Sequence, residues 1–208
     1  MEIISHRGYW KDVQEKNTYP AFIRSFEMGY GIETDLRDYN GEIVISHDIP
    51  NDNSIFLSNF FQKYKSSGKS EKLALNIKSD GLQKKLLAEL NKYTITNYFV
   101  FDMSIPDTIG YANENIIFFS RQSEHELKPT FYDKCQGIWL DAFESIWYNK
   151  ELIIDHLNNN KQVAIVSPEL HKRECIEFWN ILKDNKIHLM KGVILCTDFP
   201  ETANNFFK

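Results

Sequence analysis

The chain has 208 residues, 42% of them hydrophobic, 25% charged and 14% aromatic, with nine glycines and six prolines. That suffices for one domain, residues 1–208, with a sizeable core, and leaves little material for linkers. A formal charge of −5 at pH 7 argues against broad attraction to nucleic acid or an anionic membrane, since both need a basic surface. The three cysteines, Cys135, Cys175 and Cys196, lack disulfide-framework or zinc-ligand spacing and read as small buried groups in a reducing compartment. The opening MEIISHRG has no leader pattern and no apolar run reaches membrane-spanning length, so a cytoplasmic location without stable membrane anchoring is expected.

In chain order, the apolar run EIIS leads into HRG, and the segment TYPAFIRSFEMG then has the spacing of a helix stopped at Gly29. GIETDL is a second strand, followed by DYNGEIVISHD, in which Asn40-Gly41 predicts a turn and a short inserted hairpin strand. A short helix is expected near 56–64. LALNI and YFVFD are the third and fourth barrel strands, separated by DGLQKKLLAELNKY, a helix with Asp80 as its expected cap. IPDTIGYA reads as helix, IIFFS and GIWLD as strands, NKELIIDHLNNN as helix, QVAIVS as strand, HKRECIEFWNILKDN as helix, GVILC as strand and PETANNFF as helix. Eight short strands, apolar on both alternating positions, suit burial on both faces of a parallel sheet. The β-then-α alternation predicts an α/β fold, a single-domain (β/α)8 TIM barrel, ahead of an open doubly wound sheet.

The working face of such a barrel lies at the C-terminal ends of its strands. There the sequence sets His6 and Arg7 after the first strand, Glu33 and Asp35 on the second, His47 and Asp48 after the hairpin, and Asn76 and Lys78 on the third. Glu33 and Asp35, two apart on a strand, point to one face and can share a cation. Carboxylates with the Asn76 carbonyl as third ligand favour one hard divalent ion, Mg²⁺ or Ca²⁺. Two histidines suit a general acid and a general base near neutral pH, and Arg7 and Lys78 suit an anionic substrate. Together these residues point to metal-assisted cleavage of a small-molecule phosphodiester. Arg121 and Trp139, on later strands, are candidates for contacting the leaving alcohol or a second anionic group. Asp102 and Asp141 also lie at strand ends, Asp198, as the expected cap of the last helix, ranks below the others, and His125, His156, His171 and His188 read as surface or internally satisfied residues.

In order and spacing, SHRGYW, KNTYPAF, GIETDLRDYNGEIVISHD, LNIKSDG and GVILCTDFPE resemble the glycerophosphodiester phosphodiesterase family over essentially the whole chain. The resemblance implies a TIM barrel that binds one divalent cation and cleaves phosphodiesters to a phosphomonoester and an alcohol. It implies acid–base roles for His6 and His47, metal ligation by Glu33 and Asp35, and phosphate contacts from Arg7 and Lys78. The chain departs from the family pattern at Asn76 and Lys16, each a Glu in most relatives, and at IVSPEL, where many have a Trp-Thr-Val-Asn-like stretch. The loss of one charge at position 76 is expected to weaken cation binding or shift its preference. His6 is assigned as base and His47 as acid, with water or a substrate hydroxyl as attacker. A barrel that binds a phosphodiester without turnover, or one acting on a nucleotide- or envelope-linked glycerol phosphate, are the alternatives.

Overall fold

The computed structural model describes residues 1–208. The strands are β1 (Glu2–His6), β2 (Gly31–Tyr39), β3 (Glu42–Ile45), β4 (Ile55–Phe56), β5 (Leu73–Ile77), β6 (Tyr98–Phe101), β7 (Phe119–Gln122), β8 (Gly137–Leu140), β9 (Gln162–Val166) and β10 (Val193–Thr197). The helices are α1 (Tyr19–Met28), α2 (Leu57–Ser66), α3 (Gln83–Lys92), α4 (Ile105–Asn113), α5 (Lys150–Asn158), α6 (Ile176–Asp184) and α7 (Pro200–Phe207).

Eight strands pair in parallel around a ring in the order β1, β2, β5, β6, β7, β8, β9, β10, and β10 returns to β1. The β6–β7 seam is the weakest link, a single parallel bridge from Val100 to Phe118 carried by a 2.9 Å bond from Val100 N–H to the Ile117 carbonyl. β2 runs past the ring and turns at Asn40-Gly41 into β3, its antiparallel partner, which pairs in turn with the two-residue β4. The hairpin therefore follows the turn chemistry, with Asn40 and Gly41 both at positive φ.

Alternation along the strands sorts side chains into two cores. Ten residues, among them Ile4, Ala74, Phe99, Phe101, Phe119, Trp139, Ala164 and Ile194, fill the barrel interior. A larger cluster of 37 lies between strands and helices. Both faces of each ring strand are thus covered, which is why the sequence runs are continuously apolar. Gly31 serves this packing: a Cβ there would meet the Lys72 carbonyl at 2.7 Å and Ile4 at 2.8 Å.

Seven helices accompany the ring at the seven expected places, and 123–136 between β7 and β8 hold no helix. Two local expectations are corrected. The strand read at IIFFS starts three residues later, at Phe119, which puts Arg121 inside β7. Asp80 does not cap α3: Leu82 occupies that position without a side-chain bond, and the Asp80 carboxylate accepts the Ser104 hydroxyl at 3.0 Å. Ser104 itself caps α4 by accepting the Asp107 N–H at 3.3 Å, so Asp80 and Ser104 hold neighbouring loops together. No helix is long and apolar enough to cross a membrane.

Candidate active site

β1 ends at His6, and the chain then turns sharply through Arg7 (φ 57°) and Gly8 (φ 81°). Gly8 is required twice over, by its left-handed backbone and because a Cβ would lie 2.9 Å from the Ala21 Cβ on α1. The turn sets the Arg7 amide to donate to the Glu33 carbonyl at 2.9 Å and to a Glu33 carboxylate oxygen at 3.2 Å. In register, His6 lies beside Glu33, Glu33 beside Ala74 and Asp35 beside Asn76, so the three oxygen-bearing side chains share the face lined below by the interior core.

Asp35 is fully buried and meets two cations, Arg7 Nε at 2.9 Å and Lys78 Nζ at 3.6 Å. Its Oδ2 accepts a 2.8 Å bond from the Asn17 amide, whose oxygen accepts the Thr34 hydroxyl at 2.8 Å. Asn17 thereby fixes the carboxylate's orientation. Its own position comes from a left-handed backbone (φ 60°) and an N–H bond to the Arg7 carbonyl at 2.9 Å. Burial first, then the neighbouring Asp35 charge, pushes the Glu33 carboxyl up to about 8. Asp35 Oδ1 and Asn76 Oδ1 are buried without a hydrogen-bond partner.

These observations fit a hard divalent cation. Three oxygen-bearing side chains lie on one face of two adjacent strands, two of them present acceptor atoms without a hydrogen-bond partner, and the third is a carboxylate whose charge the protein alone solvates poorly. The set holds two carboxylates and one amide, and nowhere in the chain, here included, do three His, Cys, Asp or Glu side chains gather as a metal centre.

The His6 ring is held from the opposite end of the chain. Its Nδ1 donates to Asp198 Oδ1 at 2.6 Å, and Lys16 Nζ lies 3.4 Å from the other Asp198 oxygen. This leaves Nε2 of a neutral ring with its lone pair free, 3.9 Å from Glu33 Oε2. Burial lowers the His6 pKa, against the raising effect of Asp198. Burial alone would raise Asp198, but its hydrogen bond from His6 and the charges of His6 and Lys16 outweigh that and lower it. Asp198 is therefore not the cap of α7; Phe199 holds that position and makes no side-chain cap bond.

His47 follows β3 on the same rim, one residue beyond a 3.0 Å bond from Ser46 N–H to the Asp35 carbonyl. Its ring is half-exposed and pairs with Asp48 at 2.8 Å; no hydrogen bond or ion pair joins it to the His6 cluster. Arg121 sits apart, bound to Glu126 and 3.3 Å from Asp102. Trp139 is 4% exposed and stacks on Phe101 with centroids 3.9 Å apart, a place in the interior core rather than on an open surface. Sequence reasoning missed Asn17 and undervalued Asp198. Closure itself was the signal for the latter, because the residue just past the last strand of a barrel lies beside the end of the first.

No protein-family model matches the chain, and comparison of its sequence with curated proteins finds no match. Solved structures do match in fold. A candidate glycerophosphodiester phosphodiesterase from Galdieria sulphuraria superimposes with a TM-score of 0.77 at 18% identity, over 99% of this chain and 97% of that one. A glycerophosphodiester phosphodiesterase from Agrobacterium tumefaciens gives 0.73 at 13% identity, over 99% and 98%. A Ca²⁺-dependent phosphatidylinositol-specific phospholipase C from Streptomyces antibioticus gives 0.62 at 9% identity, over 100% and 96%. The chain has the glycerophosphodiester phosphodiesterase-like TIM-barrel fold, along its full length.

Proposed function

We propose that the protein is a divalent-cation-dependent phosphodiesterase that hydrolyses a glycerophosphodiester, or a related small phosphodiester, to a phosphomonoester and an alcohol. The observation that carries this reading is the placement of Glu33, Asp35 and Asn76 on one face, with two buried oxygens that lack a hydrogen-bond partner, beside a carboxylate-held His6 and the cations Arg7 and Lys78. Glu33, Asp35 and Asn76 would hold the cation. When bound, it supplies Lewis-acid polarisation of the phosphoryl group.

The chain's own residues do the rest. Arg7 and Lys78, drawn to Asp35, lie where they offset the charge that develops on the phosphoryl oxygens. His6 Nε2, unprotonated because Nδ1 donates to Asp198, accepts the attacker's proton, and the lowered pKa keeps the ring in its basic form at neutral pH. His47, exposed on the hairpin loop beside Asp48, protonates the leaving oxygen. The attacker is water or a neighbouring substrate hydroxyl, and in the second case a cyclic phosphate forms first.

One feature favours a second reading. With an amide at position 76 and Asp35 already met by two cations, the barrel retains an anion pocket while holding a cation with one charge fewer, as a binding protein without turnover would. Hydrolysis of a chromogenic phosphodiester with added Mg²⁺ or Ca²⁺, abolished by a chelator and by His6→Ala and His47→Ala, is the expected result. No hydrolysis with several divalent ions and a panel of glycerophosphodiesters would sink the enzyme reading.

A further inference from the structure

Behind the His6–Asp198 pair stands a carboxylate that the chemistry above does not use. Glu169 lies in the short turn Pro168–His171 that follows β9. One of its oxygens accepts the Asp198 backbone N–H at 3.1 Å and also the Thr197 hydroxyl. The other accepts the Ser167 hydroxyl, whose oxygen takes the Trp179 indole N–H at 2.9 Å from α6. Ser167, Thr197 and Trp179 are all fully buried.

Three donors converge on one carboxylate, which fixes its orientation. A carboxylate so engaged is weak evidence for stability, because apolar packing of similar volume serves that end at least as well. Its placement is specific. It ties the exit of β9 to the exit of β10 at the residue whose side chain holds His6, and Thr197 is in register with Ser5, immediately before His6. A shift of the Thr197–Asp198 backbone would carry the Asp198 carboxylate away from the imidazole.

We propose that Glu169 is a positioning residue: by holding the Asp198 N–H and the Thr197 hydroxyl it aims the Asp198 carboxylate at His6 Nδ1, and so fixes the imidazole nitrogen that faces the substrate. This rests on the phosphodiesterase reading, since it assigns His6 a part in the reaction. Glu169 itself touches no reacting atom and acts through Asp198.

The test uses the whole chain and two readouts. In Glu169→Ala, kcat is expected to fall about 10- to 100-fold, the range for removed supporting partners, with KM within about twofold. Glu169→Gln, whose amide oxygen still accepts both Asp198 N–H and Thr197 Oγ–H, is expected to recover most of that loss. Proton NMR gives a readout independent of turnover. The low-field His6 Nδ1–H resonance, identified by its disappearance in Asp198→Asn, should persist in the native protein and Glu169→Gln and be lost or displaced in Glu169→Ala. A folded Glu169→Ala with both kcat and the resonance unchanged overturns the proposal, as does a rise in KM at unchanged kcat. If the native protein shows the resonance but no hydrolysis, the phosphodiesterase reading fails while the NMR comparison still decides whether Glu169 positions the pair. Should Glu169→Ala not fold, Thr197→Val removes one donor of the same bridge, and an undisturbed resonance there refutes the role.

Discussion

The two sides of the barrel mouth carry similar residue types and use them differently. On the β1–β2–β5 side, Glu33, Asp35 and Asn76 set their side chains on one face and leave Asp35 Oδ1 and Asn76 Oδ1 without a hydrogen-bond partner. On the β6–β7–β8 side, Arg121 is taken up by Asp102 and Glu126, His171 by Asp141 at 2.7 Å, and Trp139 by Phe101. Charged residues at strand ends therefore do not define a site by themselves. What distinguishes the first side is that two buried acceptors without a hydrogen-bond partner, Asp35 Oδ1 and Asn76 Oδ1, belong to residues in register on neighbouring strands.

The sharpest challenge to that contrast is its catalytic consequence. His6→Ala is expected to cost about 10²- to 10⁴-fold in kcat, the usual range for an acid–base group. Arg121→Ala, whose charge is already neutralised, is expected to cost less than about tenfold in a phosphodiesterase assay with the same substrate. Equal losses from the two would erase the distinction between the sides.

Trp139 separates them by another measure. As an interior side chain, Trp139→Ala should lower stability by about 3–5 kcal/mol in urea unfolding, whereas Trp139→Phe should cost much less. Unchanged stability with weakened substrate binding would return Trp139 to the substrate contacts.

Asn76→Glu sharpens the first side. Adding the carboxylate found in resembling sequences is expected to lower the Mg²⁺ or Ca²⁺ concentration needed for half-maximal activity by about tenfold, the equivalent of about 1.4 kcal/mol. Isothermal titration with each cation checks this without turnover, and an unchanged affinity would mean that Asn76 lies outside the cation site.

The smallest effect belongs to a histidine on α5. His156 is buried, its Nε2 donating to Gln122 at 2.7 Å and its Nδ1 accepting from Tyr132 at 2.9 Å, and burial lowers its pKa. Because the folded value lies below the unfolded value of about 6.5, nothing is lost above that pH. As the pH falls through the unfolded value, the unfolded chain takes up a proton that the folded one does not, and stability drops until the folded value is passed. Urea midpoints measured across this window should slope less steeply in His156→Gln than in the native protein.

Much of this was legible in the sequence because strands, the Asn40-Gly41 turn and the helix stop at Gly29 are encoded by residues within a few positions of one another. The placement of Glu33 and Asp35 on one face followed from period two, and that of Asn76 beside them from the next strand's register. The Asp198–His6 bond, spanning 192 positions, was not legible from local pattern. Nor was the fate of Trp139, since an apolar strand reads the same whether a given residue faces the interior or the open mouth.

The sequence by itself determined the β/α order, the inserted hairpin and the stock of acids, bases and cations at the strand ends, because local periodicity and turn chemistry are short-range properties. Only the tertiary structure decided which of those groups meet. Ring closure sets β10 against β1, and the folded chain leaves Asp35 Oδ1 and Asn76 Oδ1 buried without a hydrogen-bond partner and pairs the charges of the far rim with each other. These outcomes depend on distances between residues remote in the chain, which closure fixes and local pattern does not record.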